Sequence, residues 1–181
     1  TQAKTLFPYT TLFRSGVVVQ MLAHGLSAAG LFIMSGQLYE RLKTRDLKKM
    51  GGLSSRMSGL PPIAMFFAAA SLGLPGLGNF VGELLILIGS FKVNECVTLF
   101  ATSGLVLSAV YSLIMIQRSL HGPAQSSEVI PGLNARELVM MLSLMFLLVW
   151  LGLYPQPVLD TSAAVMNGIS QLITPTLPAA Q

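Results

Sequence analysis

Long apolar stretches separated by polar connections dominate the chain and predict helices that cross a membrane. They cover residues 17–39, 60–91, 96–116 and 138–154. A helix needs ~20 mostly apolar residues to cross a hydrocarbon core of ~30 Å, and only the second stretch is much longer than that. The pattern therefore predicts an all-α, polytopic membrane protein with about four transmembrane helices.

The second stretch predicts a discontinuous helix. As one straight helix it would be ~48 Å long, which is too long for the bilayer without strong tilt. It contains the sequence LGLPGLGNFVGE at residues 72–83, and we expect the break at Gly73, Pro75, Gly76 and Gly78. Glycine and proline often only kink a membrane helix, so a kink is the alternative. The excess length favours two half-helices.

Small and polar residues mark faces on two of the other predicted helices. At 100° per residue, four polar residues of the first helix fall within about 80° of one another. These are Gln20, His24, Ser27 and Ser35. In the third helix, Gly104, Ser108 and Ser112 form a row of small residues that suits close helix contact. We expect both faces to contact protein or water and not lipid.

Composition agrees with a membrane protein and excludes several other classes. Hydrophobic residues make up 52% of the chain and charged residues 10%, whereas soluble domains carry roughly 25% charged residues. The net charge of +4 comes without a basic stripe, so we expect no nucleic-acid partner. The single cysteine, Cys96, excludes an internal disulfide, and the chain has no motif for a metal or a nucleotide cofactor.

The distribution of lysine and arginine predicts the orientation of the chain in the membrane. The connection over residues 40–59 holds six of them, the connection over 117–137 holds two, and the short connection on the other side holds Lys92 alone. Basic connections remain in the cytoplasm. We therefore expect 40–59 and 117–137 to be cytoplasmic. The tail, 155–181, should lie on the outer side along the membrane surface, because prolines and small residues break it too often for a span.

The first fifteen residues, TQAKTLFPYTTLFRS, do not fit the pattern that follows. They show no clear helical period, and Pro8 interrupts them. Residues 5–15 resemble the conceptual translation of an adaptor oligonucleotide from short-read sequencing libraries. We therefore expect 1–15 to be a non-native segment joined to a truncated gene, and amplification of genomic DNA across the Ser15/Gly16 junction tests this.

Glu83 is the strongest candidate for chemistry, because an ionisable residue inside a membrane helix is costly unless it is paired or hydrated. We expect Asn79 to cap the second half-helix, which would place Glu83 in or next to its first turn. There the helix dipole favours the carboxylate, whereas removal from water favours the neutral acid. A carboxyl group balanced in this way can load and release a proton. The alternative is that Glu83 is merely solvated near the membrane interface.

His24 is the second candidate, because an imidazole can accept a proton on one nitrogen and donate from the other. Gln20 and Ser27 are predicted to hold water beside it. The alternatives are that His24 only fills space in the core and that Gln20 and Ser27 only bond neighbouring helices.

The motifs MLAHGLSAAGLFIMSGQLYERLKTRDLKKMGGL, SLGLPGLGNFVGELLILIGSF and LGLYPQPVLD resemble the carboxyl-terminal part of the M-type antiporter-like subunit of bacterial proton-pumping NADH:quinone oxidoreductase, respiratory complex I. The resemblance covers Gly16 to about Ser170. It implies a fourteen-helix protein in the bacterial inner membrane, of which this chain holds the last four helices. It further implies that Glu83 exchanges protons with the outer side and that His24 lies on a central hydrophilic axis.

The resemblance also implies what this chain lacks. The inward half-channel has no counterpart here, so this chain alone should not pump. NADH, FMN, iron–sulfur clusters and quinone would belong to other subunits of the complex, and the partners would be other membrane-arm subunits, the lipid bilayer, internal water and protons. Two alternatives stay open: a subunit of a cation/proton antiporter or membrane-bound hydrogenase, and a structural scaffold without a proton path.

Overall fold

The structure is a computed structural model that describes residues 2–47, 50–122 and 130–173. All regular elements in these ranges are helices: α1 (Gln2–Leu42), α2 (Leu53–Arg56), α3 (Leu60–Ser71), α4 (Gly78–Phe91), α5 (Glu95–Leu120), α6 (Ala135–Leu153) and α7 (Gln156–Ile173). Three described segments are long and apolar enough to cross a membrane, namely Thr11–Leu42, Glu95–Leu120 and Ala135–Leu153. Helices α3 and α4 are shorter and together form the interrupted span. The all-α membrane architecture is therefore confirmed.

The predicted break lies between α3 and α4. Gly73 and Gly76 have φ angles of 69° and 95°, in the left-handed region that only glycine adopts without strain. The Gly73 amide donates to the Ala70 carbonyl at 3.2 Å, and the Leu74 amide donates to the Ala69 carbonyl at 3.1 Å. These two bonds with a left-handed glycine form a Schellman motif, which ends α3 and turns the chain.

Helix α1 is longer than predicted at both ends. It is helical from Gln2, so the expectation that Pro8 interrupts this segment is wrong, because the helix continues through Pro8. The missing proline amide removes a single helical bond near the amino end of a 41-residue helix. The non-native origin of residues 1–15 stays a prediction. At the other end, α1 continues to Leu42 and stops where Lys43 takes a φ of 52°.

The carboxyl-terminal part also contains more helix than the sequence pattern indicates. Helix α7 takes up most of the tail, packs against α1, and is not among the segments apolar enough to cross a membrane. Residues 174–181 lie outside the described ranges. On α5, a Cβ at Gly104 would meet nothing within 4 Å, so the expected close helix contact does not occur there within the chain. The reason is that α5 leaves most of its surface exposed.

The buried side chains form two apolar clusters, one above the other along α1. The cluster at the level of the break contains Val19, Ala23, Ile63, Phe67, Ala70, Leu77, Met141, Leu148 and Leu151. The cluster at the loop end contains Leu38, Met50, Leu53, Met57, Leu60, Ala64, Leu120 and Ile130. The half-buried Met34 packs against both clusters. Met34 therefore joins the two clusters into one core, which lies along α1 between Val19 and Leu38.

The connections over residues 40–59 and 117–137 meet at one end of the helices. Met57 pairs with Ile130 in an isolated bridge, and the Ile130 amide donates to the Arg56 carbonyl at 2.9 Å. Part of each connection is helical, since α1 and α5 extend into them and α2 forms a single turn. Residues 48–49 and 123–129 lie outside the described ranges. The two basic connections thus lie at the same end of the molecule, as the orientation prediction requires.

Candidate functional site

Helices α1 and α4 run antiparallel and approach closely through glycines of α4. A Cβ at Gly82 would lie 2.8 Å from the Cα of Gln20, and a Cβ at Gly78 would lie 3.0 Å from the Cβ of Ala23. Larger residues at these two positions would push the helices apart. The glycines therefore bring the polar face of α1 directly against the start of α4.

The break is covered on its other side by α6. A Cβ at Gly152 would overlap the backbone carbonyl of Gly76, and it would lie 2.5 Å from the Cα of Leu77. The side chain of Leu151, which is also in α6, lies against Gly78 of α4. The unwound backbone is therefore held between α1 and α6, which fixes where the first residues of α4 point.

Glu83 lies in the second turn of α4, and its carboxyl group reaches back to the break. A Cβ at Gly73 would overlap Oε2 of Glu83, so the carboxylate lies directly against the glycine backbone. The other oxygen, Oε1, accepts a hydrogen bond from Nε2 of Gln20 at 3.4 Å. Glu83 is half-buried. The predicted pair of a broken helix and an acid thus forms one site, with Gln20 as its partner from α1.

Asn79 does not cap α4, so the sequence expectation for this residue is wrong. Helix α4 begins one residue earlier, at Gly78, and the extended Leu77 occupies the cap position without a side-chain bond. Nδ2 of Asn79 instead donates to the Ala70 carbonyl at 2.6 Å. Ala70 lies in the last turn of α3, where its carbonyl accepts the Gly73 amide and has a second lone pair for another donor. A side-chain amide can donate there, whereas a capping group only accepts. Asn79 therefore ties the two half-helices together across the break.

Ser27 and His24 differ in how they relate to this site. Ser27 is fully buried, accepts a hydrogen bond from Nδ2 of Asn79 at 3.1 Å, and donates to the His24 carbonyl at 3.1 Å. The His24 side chain is exposed at the surface of the chain, and no hydrogen bond joins it to Glu83 within the described residues. The structure therefore brings Gln20, Ser27, Asn79 and Glu83 together and leaves the imidazole beside them.

A family match covers this whole arrangement of a broken helix and an acid that faces an antiparallel polar helix. The family model described as "NADH:quinone oxidoreductase/Mrp antiporter, TM" matches residues 7–109, more than half of the 181 residues. The chain belongs to this family. The match includes most of α1, the break, Glu83 and the first half of α5, so every predicted site residue lies inside it.

Several relatives within the family are subunits of NADH-quinone oxidoreductase. The chain is 69% identical over 156 residues to subunit M from Pseudomonas aeruginosa, which covers 86% of this chain and 31% of that protein. It is 54% identical over 169 residues to subunit M from Escherichia coli, which covers 92% of this chain and 33% of that protein. The chain spans about a third of the length of these curated relatives.

A solved structure shares the fold. A chain of respiratory complex I from Thermus thermophilus with bound NADH superposes with a TM-score of 0.75 at 27% sequence identity. The superposition covers 86% of this chain and 35% of that chain. The resemblance to this family noted in the sequence motifs is therefore confirmed by the family model, by curated relatives and by a solved structure.

Sequence reasoning missed one polar cluster at the loop end of α1. Arg41 donates to Oε2 of Glu137 at 2.7 Å, to the Gly132 carbonyl at 3.0 Å and to the Pro131 carbonyl at 3.1 Å. Oε2 of Glu137 also accepts from the Asn134 amide at 2.8 Å, as part of a capping box at the start of α6. The spacing Asn134-x-x-Glu137 is a signal for this helix start. No local pattern indicates that Arg41, far away in sequence, is the partner.

Proposed function

We propose that this chain provides the outer part of a proton path in the membrane arm of a bacterial NADH:quinone oxidoreductase, as an M-type subunit in the inner membrane. In the intact complex this path would couple quinone reduction to proton transport. The observation that carries the proposal is the position of Glu83, whose carboxyl group lies against the broken backbone at Gly73 and accepts a hydrogen bond from Gln20. Similarity to two subunits M supports the choice of complex.

The geometry suits a carboxyl group that changes protonation. The hydrogen-bond partner of the Glu83 carboxylate is the neutral amide of Gln20, whereas Glu137 forms an ion pair with Arg41. An amide can rotate to donate to a carboxylate or to accept from a carboxylic acid, so Gln20 can serve both protonation states of Glu83. A broken helix exposes backbone groups to water and ions at membrane depth, as at the binding sites of transporters.

In the proposed path, protons reach Glu83 from the side of His24. The imidazole is exposed at the surface of the chain, one helical turn beyond Gln20 on α1. We propose that His24 exchanges protons with water on the central axis of the subunit and that Gln20 orients water between His24 and Glu83. Ser27 and Asn79 support this role by fixing the backbone at His24 and at the break. Glu83 then releases the proton toward the outer side.

The redox chemistry lies outside the proposed role of this chain. Other subunits would bind NADH, FMN, iron–sulfur clusters and quinone. Other parts of the M-type subunit would form the proton uptake path. Within the described residues, no group of three or more His, Cys, Asp and Glu side chains could hold a metal ion. We propose that the chain contributes to a translocase without a reaction centre of its own.

Replacement of Glu83 by glutamine tests the proposal. Residues 16–170 of this chain replace the matching region of subunit M in the Pseudomonas aeruginosa complex, and Glu83→Gln is then compared with the unmodified chimera in liposomes. The amide keeps the shape but cannot carry a proton, so we expect NADH-driven proton uptake to fall several-fold while the complex stays assembled. The measurements are the rate of a pH-sensitive dye response, the rate of quinone reduction and native gel electrophoresis.

The matched control is Glu95→Gln, because Glu95 is an exposed carboxylate in the first turn of α5. This variant should pump and reduce quinone like the unmodified chimera. If Glu83→Gln also pumps and reduces quinone at unchanged rates, Glu83 has no role in transport. If His24→Ala is silent as well, the chain is a structural scaffold.

The orientation belongs to the same proposal, with 40–59 and 117–137 in the cytoplasm and the carboxyl terminus on the outer side. Cys96, exposed at the start of α5, is the natural probe for this arrangement. A membrane-impermeant maleimide should label Cys96 from outside in spheroplasts, whereas Thr44→Cys in a Cys96→Ser background should be labelled only in inverted vesicles. The reverse pattern would overturn the orientation.

A second candidate function follows from the family description, which also names Mrp antiporters. In a cation/proton antiporter, the same carboxyl group would exchange protons against a cation. Transport driven by a sodium gradient without NADH would favour this function. The neighbouring genes distinguish the two complexes without any transport assay.

A further inference from the structure

The proposed proton path assigns no role to the motif LGLYPQPVLD, residues 151–160, which begins in the last turn of α6. The motif lies beyond residues 7–109, the range that the family model matches. In the structure its first two residues, Leu151 and Gly152, lie directly against the broken helix. The motif therefore contacts the site of Glu83 although it is far from Glu83 in sequence.

Gly152 allows the backbone of α6 to approach the backbone of the break. A Cβ at Gly152 would overlap the Gly76 carbonyl oxygen, and it would lie 2.5 Å from the Cα of Leu77. These atoms belong to the backbone, so no side-chain rotation relieves the overlap. Gly76 has a φ of 95° and Leu77 is extended, and α4 begins at the next residue. Gly152 thus fits against the segment that sets the direction of α4.

Leu151 closes the space beside the same segment. Its exposed fraction is 3%, and it belongs to the apolar cluster that also contains Leu77. A Cβ at Gly78 would lie 3.0 Å from Cδ2 of Leu151 and 3.0 Å from the Cβ of Ala23 on α1. The start of α4 is therefore enclosed between α6 and α1 and has no space to move toward either helix.

The position of Glu83 depends on where this segment lies. Glu83 is five residues beyond Gly78 on the same short helix, and its carboxyl group lies against Gly73 on the other side of the segment. Nε2 of Gln20 donates to Oε1 of Glu83 at 3.4 Å. A side-chain contact of about 3.6 Å is no longer a hydrogen bond, so a shift of a few tenths of an ångström between α4 and α1 is enough to break it.

We infer that Leu151 and Gly152 of α6 are positioning residues for Glu83. They hold residues 76–78 in place, and this segment in turn holds the carboxyl group where Gln20 meets it. A methyl group at Gly152 must displace either the break or the end of α6, and both responses remove this support. The inference concerns the site of the proposed proton path and rests on that function for its importance in transport.

Solid-state NMR on the full chain in liposomes tests the inference. The measured quantity is the dipolar coupling between Nε2 of Gln20 and the side-chain carboxyl carbon of Glu83, which reports the distance between the two groups. In Gly152→Ala and in Leu151→Ala this coupling should fall several-fold, because the break is no longer held against α1. An unchanged coupling in both variants would overturn the inference.

Two control variants separate positioning from a general loss of stability. Leu148→Ala matches Leu151→Ala, because Leu148 is fully buried in the same cluster about one turn earlier on α6. Both leucine variants should lower stability, but only Leu151→Ala should weaken the coupling. Gly104→Ala matches Gly152→Ala, because a Cβ at Gly104 would meet nothing within 4 Å. An equal loss of coupling in Leu148→Ala and Leu151→Ala would mean that Leu151 has no specific role.

The chimeric complex connects the inference to transport. Gly152→Ala should lower NADH-driven proton uptake several-fold while the complex stays assembled, as Glu83→Gln does. The two experiments fail separately. An unchanged coupling in Gly152→Ala and Leu151→Ala overturns the positioning role even where Glu83→Gln stops proton uptake. Normal pumping by Glu83→Gln overturns the proposed function, whereas a lost coupling in Gly152→Ala would still show that α6 positions Glu83.

Discussion

Two glutamates bond to side chains of α1, one at its loop end and one near its middle, and their surroundings differ in kind. At the loop end, Glu137 accepts from the Arg41 guanidinium at 2.7 Å and from the Asn134 amide at 2.8 Å. At the break, Glu83 accepts from the Gln20 amide at 3.4 Å. The first carboxylate has a cationic partner with short bonds, and the second has a neutral partner at the long limit of a hydrogen bond.

The difference suggests two separate roles for carboxyl groups that bond to α1, one in stability and one in proton transport. Protonation of Glu137 would remove an ion pair and loosen the joint between α1 and α6. Protonation of Glu83 would remove one weak bond from an amide, and the amide can rotate to accept in return. We therefore expect Glu137 to contribute mainly to stability and Glu83 mainly to transport, and the predictions below test this division.

Arg41→Ala should have the largest effect on stability. The substitution removes four hydrogen bonds and leaves Glu137, with a side-chain exposure of 15%, without its cation. Removing one partner of a mostly buried ion pair typically costs 3–5 kcal/mol, and partial exposure reduces this to about 2–4 kcal/mol. The measurement is the free energy of unfolding of the chain in detergent micelles during titration with sodium dodecyl sulfate.

The control for this variant is Arg118→Ala, since Arg118 is an exposed arginine in the last turn of α5. Surface changes of this kind alter stability by about 0.5 kcal/mol or less. Equal losses in the two variants would mean that the Arg41 bonds contribute nothing beyond a surface charge.

Gly73→Ala should have the next largest effect, and it acts on the Glu83 side of the comparison. Gly73 has a φ of 69°, and a Cβ there would overlap Oε2 of Glu83. Backbone strain at such a position costs of order 1–3 kcal/mol, and the carboxyl group must move away. We expect lower stability in the detergent titration and slower proton uptake in the chimeric complex.

The matched change is Gly104→Ala, where a Cβ would meet nothing within 4 Å and the backbone is helical. Alanine favours a helix over glycine by about 1 kcal/mol, so this variant should be unchanged or slightly more stable. If both alanine variants behave alike, neither the left-handed backbone nor the contact with Glu83 matters.

Most of the fold follows from sequence patterns whose physical causes are local. The apolar stretches predict the helices, and the excess length with Gly73 and Pro75 predicts the break, because both depend on residues near one another in the chain. The sequence pattern named the residues that meet at the break, Gln20, Ser27, Asn79 and Glu83, but it did not predict the hydrogen bonds between them, and the role of this site stays a prediction. Asn79 at a helix start resembles a cap, and only the position of Ala70 across the break shows why its amide donates there instead. The pairing of Arg41 with Glu137 depends on two elements 96 residues apart, which no periodicity reveals.

Asn79→Ala should lower stability by about 1 kcal/mol. Single hydrogen bonds inside membrane proteins contribute ~0.6 kcal/mol on average and up to ~1.7 kcal/mol, and Asn79 makes a 2.6 Å bond to Ala70 and a 3.1 Å bond to Ser27. Ser143→Ala is the control, because the exposed Ser143 hydroxyl bonds only within its own helix, to the Met140 carbonyl. A loss no larger than that of the control would show that Asn79 does not join the half-helices.

Glu83→Gln should have the smallest effect on stability. This effect distinguishes a transport role of Glu83 from a packing role. Glutamine keeps an acceptor for Gln20 and removes a charge that is costly to hold at membrane depth, so the free energy of unfolding should change by about 0.5 kcal/mol or less, or rise slightly. Glu137→Gln keeps the shape but removes the ion pair with Arg41, so it should cost clearly more in the same titration. If Glu83→Gln destabilises the chain as much as Glu137→Gln does, Glu83 is a packing residue like Glu137. A silent Glu83→Gln in unfolding, together with its expected loss of proton uptake, would show that this carboxyl group is held for transport and not for stability.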